Sequence, residues 1–300
     1  MKLLTVVIPA YNVEHYLHRC LDSLLYNQEI NDSLDIIIVN DGSRDETATI
    51  AEKYCQKYPK IVSLIDKENG GHGSTVNAGL AQATGKYFKV VDADDWVNIW
   101  DFGDFVKSLK KETADLLITD YRRDVLYDEA EEEFSFYAGD STIHPIEDAY
   151  HSMQQLNFFY MHALTVKTAA LKKVWGHGLM EKRFYVDQQF NILAFTGAKT
   201  YRVLPYDIYR YFIGRPEQSM NNLGKHHADH ENIVFWMINY LNSDDIKQYP
   251  HMEEILKWQI IRMVDAYRYI PQDTPEGVKD CKNFMTRIKN EYPEFIKDTL

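Results

Sequence analysis

Between residues 3 and 91, four apolar, β-rich runs alternate with stretches of helical spacing. The runs are Leu3–Ile8, Asp35–Val39, Ile61–Ile65 and Lys86–Val91. Between them, Val13–Tyr26 carries Tyr16, Leu17, Cys20, Leu21 and Leu24 on one helical face, and Asp45–Tyr58 and Ser74–Ala83 also read as helices. The run DIIIV is apolar on both faces, as a central parallel strand is. Strands alternating with helices imply parallel pairing through right-handed crossovers. In such sheets ligands gather beyond the carboxyl ends of the strands. Three runs end in polar clusters: Pro9-Ala10-Tyr11-Asn12, Asn40-Asp41-Gly42-Ser43 and Asp92-Ala93-Asp94-Asp95. Three clusters on one edge point to one site.

Past Trp96 the texture changes. Phe102–Glu112 reads as a helix and Asp115–Thr119 as a further strand. The acidic run within Tyr127–Phe136 reads as a solvated loop or hairpin rim. Met161–Lys173 and Asp187–Phe195 read as helices, and Thr200–Tyr211 alternates like a strand pair. From about His230, Ile233, Trp236, Met237, Tyr240, Ile255, Trp258, Ile261, Met263 and Val264 form helical stripes of core type. The organisation expected is one half over 1–125, a second half of the same domain over 126–225, and a helical region over 226–300.

A formal charge of −12 disfavours nucleic acid and anionic lipid as partners. An anionic substrate would need local positive charge, and a bound cation supplies it. Three separated cysteines without a CxxC pair read as reduced thiols of a cytoplasmic protein. No apolar run approaches the roughly 18 residues of a membrane helix. The opening MKLLTVVIPAYN reads as a buried first strand, because Pro9 interrupts it without a cleavage pattern.

The strand-end run VVDADDW crowds three carboxylates into four residues. Mg²⁺ or Mn²⁺ takes such oxygens and bridges substrate phosphates; an acidic helix cap is the other reading. Asp41 is suited to accept hydrogen bonds from a ribose or base, or simply closes a strand–turn–helix link. The turn Asn69-Gly70-Gly71-His72-Gly73 precedes a helix, where backbone N–H groups can meet phosphate. It is neither a dinucleotide fingerprint nor a Walker loop. His72 is suited to approach donor or acceptor, or has no role.

Taken together, TVVIPAYN, IIIVNDGSRDET and KENGGHGSTVNAGLAQATGKYFKVVDADDW resemble the family-2 inverting glycosyltransferases of the GT-A fold, over about the first hundred residues. The resemblance implies a Rossmann-like, mainly parallel sheet flanked by helices, followed by a helical C-terminal region. It implies transfer of a sugar from a nucleotide-diphosphate donor, UDP-linked by expectation, to a saccharide or lipid-linked hydroxyl, in cell-surface polysaccharide or glycolipid synthesis. A lipid-linked acceptor would bring the enzyme to the inner membrane face, through the apolar C-terminal stripes. Pro9, Ala10, Tyr11 and Asn12 resemble the rim of the nucleotide pocket, with Tyr11 stacking on the base. Asp41, Asn69, Gly70, Asp92 and Ala93 resemble further donor contacts, and Asp92 and Asp94 the DxD pair holding Mn²⁺ or Mg²⁺. Asp95 occupies an additional acidic position common in the family.

One departure is Val76, where the family carries an arginine on the donor; Lys67, Lys86 or Lys89 is the alternative charge. In the second half, FYVDQQF resembles the segment carrying the general base, which makes Asp187 the base; a helix-terminal carboxylate is the plainer reading. Arg215, Gln218 and Ser219 resemble a late loop over the diphosphate, and His226 a late metal ligand, with His227 and His230 beside it. Two other readings are a non-catalytic nucleotide-sugar-binding module and a sugar nucleotidyltransferase. The latter resembles a glycine-rich, arginine-bearing loop after strand one, which Pro9–Asn12 lacks.

Overall fold

The computed structural model describes residues 2–125, 132–151, 160–214, 226–267 and 275–296. Strands β1 (Leu4–Ala10), β2 (Leu34–Asn40), β3 (Val62–Asp66) and β4 (Tyr87–Val90) are parallel, in the order β3-β2-β1-β4. Helices α1 (Leu17–Leu25), α2 (Thr47–Lys57) and α3 (His72–Gln82) make the crossovers. The apolar face of α1, with Leu17, Cys20, Leu21, Leu24 and Leu25, is buried, as its helical spacing requires. Val6, Ile8, Ile36 and Ile38 in β1 and β2 are fully buried. Pro9 lies beyond the last β1–β4 pair, Val7 with Val90. Its missing N–H therefore costs no ladder bond to β4.

The short β5 (Trp96–Val97) and α4 (Ile99–Ser108) lead into β6 (Leu116–Val125). Beyond them β7 (Glu132–Phe134) and β8 (His144–Pro145) are edge pieces, pairing with β6 and with β10 (Thr200–Ile213). The sheet continues β4-β9-β6-β10-β5, and β9 (Leu164–Lys167) runs antiparallel to both β4 and β6. Helices α5 (Thr168–Val174) and α6 (Val186–Gly197) follow β9.

Two expectations are corrected. Met161–Lys173 is not one helix: a 3₁₀ turn at Met161–Ala163 leads into β9, and the α-helix begins at Thr168. The four residues Leu164–Lys167, the first three of them buried, are compatible with either period, and the open edge of β4 decides for strand. Thr200–Tyr211 is not a strand pair but part of one 14-residue strand with register shifts around Asp207. Of the acidic run, residues 132–136 are among those described. Glu132 and Glu133 are exposed beside Arg123 and Arg122, while Phe134 stacks on Tyr121 at 4.7 Å.

The C-terminal region comprises α7 (His227–Leu241), α8 (Met252–Ala266) and α9 (Pro275–Glu291). Ile233, Met237, Ile255, Met263 and Val264 are buried, and Trp236, Tyr240, Trp258 and Ile261 pack partly buried against the core. The stripes pack against the core, as their helical spacing predicts. No described helix is long and apolar enough to cross a membrane.

Candidate active site

Register brings the predicted clusters to one edge. Ala10 pairs with Asn40 and Asn40 with Asp66, and Asp41 N–H donates to Ala10 O at 2.9 Å. Tyr11, just beyond β1, is 46% exposed, so its ring is available for stacking. Asn12 has a left-handed backbone (φ 50°) and accepts from Arg44 N–H at 2.8 Å, tying the first cluster to the second.

The aspartate turn after β4 is held from both sides. Tyr209 Oη accepts from Asp92 N–H at 3.1 Å and donates to Asp95 Oδ2 at 2.5 Å. Asp95 Oδ1 accepts from Phe212 N–H at 2.8 Å. Asp95 is buried, and burial, with the charges of Asp94 and Asp92, holds its carboxyl well above the usual carboxylate range. Its place is structural: it fastens β10 to the turn. From α1, Arg19 donates to Asp94 O at 3.0 Å while its guanidinium stacks on Trp96 at 3.6 Å.

Asp41 is buried and its carboxylate faces the glycine turn. It accepts from Gly70 N–H at 2.8 Å, Gly71 N–H at 2.7 Å and Lys67 Nζ at 2.9 Å. Asn69 Nδ2 donates to Asp41 O at 3.0 Å. Gly71 sits at φ 80°, which a side chain rarely adopts. Of the three lysines considered in place of an arginine at Val76, Lys67 lies in this corner. Lys86 donates instead to Leu109 O and Glu112 O, and the buried Lys89 to His162 O and Leu164 O. Burial pushes Lys89 down to about 7.

Across the edge, Asp187 occupies the first turn of α6 and is half-buried, with Gln188 Nε2 donating to its Oδ2 at 2.9 Å. Burial raises its carboxyl above the usual range, against the opposing pull of Gln188 and His72. The residue at the helix cap is Tyr185, which makes no side-chain cap. His72 connects the two sides. Its Nε2 lies 2.8 Å from Asp92 Oδ1. Burial favours the neutral ring, but the charges of Asp92, Asp187 and Asp94 outweigh it and raise the imidazole. Tyr211 feels the charges of Asp95, Asp92, Asp94 and Asp187 together, so these carboxylates share one region.

The late histidines are engaged elsewhere. His226 stacks on Phe184 and lies 3.7 Å from Asp229, His227 faces Asp280, and His230 bonds Met263 O. Among the described residues no three His, Cys, Asp or Glu side chains converge to hold a metal ion. Arg215, Gln218 and Ser219 lie outside the described residues. The bonds from Arg19, Tyr209 and His72 were not foreseen. Each spans 20 or more positions, and no local pattern marks them.

Comparison with known proteins fixes the class. The glycosyl transferase family 2 profile matches residues 5–168, more than half of the chain. The chain belongs to glycosyltransferase family 2. It is 32% identical over 194 residues to glycosyltransferase GlyA of Streptococcus pneumoniae, spanning 63% of this chain and 26% of that protein. It is 27% identical over 220 residues to the uncharacterised glycosyltransferase EpsJ of Bacillus subtilis, spanning 70% and 61%. The chain thus spans less than two thirds of these relatives. The crystal structure of residues 1–349 of Staphylococcus aureus TarS with UDP-GlcNAc aligns over 99% of this chain and 93% of that one. Its TM-score is 0.65 at 19% identity, which establishes a shared GT-A fold.

Proposed function

We propose that the protein transfers a sugar from a nucleoside-diphosphate donor, UDP-linked, to a hydroxyl acceptor with inversion, in cell-surface polysaccharide synthesis. The observation that carries this reading is a half-buried carboxyl with raised proton affinity, Asp187, beside the Asp92–Asp94 strand end. Family membership and a TarS structure holding UDP-GlcNAc support the donor class.

The acceptor oxygen attacks the anomeric carbon as Asp187 takes its proton. The bond from that carbon to the diphosphate breaks, and the electron pair leaves on the diphosphate oxygen. Raised affinity suits a base that must receive a proton near neutral pH. Tyr11 covers the nucleoside, and Asp41 keeps the glycine turn in place with Gly70 and Gly71 N–H committed to it. Lys67 adds positive charge beside the turn.

The donor set of Asp92 and Asp94 fits Mn²⁺ or Mg²⁺: hard carboxylate oxygens, with the remaining coordination left to diphosphate and water. Bound there, the ion would neutralise charge on the leaving group. His226 is not needed for this set.

Screening UDP- and GDP-linked sugars for hydrolysis with and without Mn²⁺, alongside UDP calorimetry, tests the reading. Turnover of one donor is expected. UDP binding without turnover of any donor would leave a binding module. No UDP binding would overturn the nucleotide assignment.

A further inference from the structure

We infer that Asn77, on the donor-side helix α3, is a positioning residue that sets the place of Asp187; this rests on the base role proposed above. The connection from α5 to α6, residues 175–185, leads directly to Asp187 in the first turn of α6. It is conformationally costly. Gly176, Gly178, Lys182 and Tyr185 all adopt positive φ, at 49°, 78°, 54° and 63°. Lys182 and Tyr185 pay a steric cost there that glycine does not. Such backbone persists where surrounding contacts over-determine it.

Those contacts come from α3 and its glycine turn. Asn77 Nδ2 donates to Leu179 O at 2.9 Å. Its Oδ1 accepts from Leu179 N–H at 2.8 Å and from Trp175 Nε1 at 3.1 Å. One amide therefore satisfies both backbone groups of Leu179 and anchors the start of the connection. Lys182 N–H donates to Gly70 O at 2.6 Å. The backbones touch: a Cβ on Gly73 would overlap the Met180 carbonyl, and one on Gly71 would lie 3.1 Å from Lys182 Cα. From the other side Gln189, on α6, accepts from Met180 N–H at 2.8 Å and donates to Gly178 O at 3.3 Å. The connection is clamped between the donor turn and the base helix. The helix that opens with His72, bonded to Asp92, thus fixes the segment leading to Asp187.

Asn77 acts through its bonds to Leu179 and Trp175, so its loss should be felt in turnover and not in nucleotide binding. Turnover is read as nucleoside-diphosphate release from the donor selected by the panel above, and binding as UDP calorimetry. Asn77→Ala is expected to lower kcat by roughly 10- to 100-fold with the UDP Kd within about threefold. Asn77→Asp retains the acceptor for Leu179 N–H and Trp175 and should recover part of the rate. Gly178→Ala attacks the same contact from the opposite strand of the clamp, because its Cβ would sit 2.5 Å from Asn77 Oδ1. It should reproduce the split if Asn77→Ala fails to fold.

The double variant Asn77→Ala/Asp187→Asn should be no slower than Asp187→Asn alone, because both changes act on one step. A folded Asn77→Ala enzyme with wild-type kcat overturns the inference. So does a loss of UDP affinity matching the loss of rate, or full additivity with Asp187→Asn. Wild-type turnover in Asp187→Asn itself is a different result: it removes the base assignment.

Discussion

The donor edge and the Asp187 side meet at His72 but are built differently. The donor edge is made of short clusters, each at the end of its own strand, and the parallel register aligns them without further help. The Asp187 side owes its shape to a connection with four left-handed residues, held by the Asn77 side chain about a hundred positions away. The first region is robust because ladder hydrogen bonds define it. The second depends on a few specific polar contacts, and single changes there should cost function before they cost the fold.

The most severe test of that contrast is Asp187→Asn. Transfer is expected to fall by roughly 10² to 10⁴ while UDP affinity stays within a few-fold. The folded pKa of Asp187 is raised, so the group stabilises the fold at low pH, and this is lost as pH rises through the folded value. At neutral pH the amide should therefore melt no earlier than wild type. A clear drop in Tm with unchanged turnover would make Asp187 structural. In the wild type, the acid limb of kcat/KM should lie above the ordinary carboxylate range and vanish in the variant.

Next comes Asp94→Ala, expected to remove the Mn²⁺-dependent part of UDP binding and leave the melting temperature nearly unchanged. Calorimetry with and without Mn²⁺ decides, and an unchanged metal increment removes Asp94 from the donor set.

A smaller effect is expected from Tyr209→Phe, which strips a partner from both Asp95 and Asp92 N–H. Denaturant unfolding should show a loss of about 1–3 kcal/mol. If the donor edge rests on its register, UDP binding should weaken by less than tenfold.

A last test concerns Lys89, buried with two carbonyl acceptors and the Tyr209 ring around its ammonium. Its folded pKa is about 7, below the unfolded value, so wild-type stability should rise between pH 7 and 10 as the folded state sheds a proton first. Lys89→Met should flatten that rise in Tm, and an unchanged slope would show that Lys89 stays charged.

How much of this could be read beforehand follows the same divide. The strands, crossovers and edge clusters of the first hundred residues were legible, because period, turn residues and motif spacing are local properties. Asp187 was singled out through its neighbours Phe184–Phe190, which resemble a family segment. Its clamp was not, because Asn77, Leu179 and Trp175 meet only after folding. β9 was misread because its apolar run is too short to separate the strand period from the helical one, and only an open edge on β4 decides. His72 was singled out without a role, since nothing in a glycine turn says which carboxylate its ring will face.

The antiparallel β9 constrains how segments can be exchanged between relatives. It lies late in the chain yet closes the exposed flank of β4, and the carbonyls of His162 and Leu164 beside it are the acceptors of Lys89. A chimera joined anywhere between Val91 and Met161 would therefore take the aspartate-bearing strand from one parent and its lateral partner from the other. A junction after Lys167 keeps that pair from a single parent. The modular unit for recombination is thus longer than the run of strand-end clusters, and it closes only after Lys167.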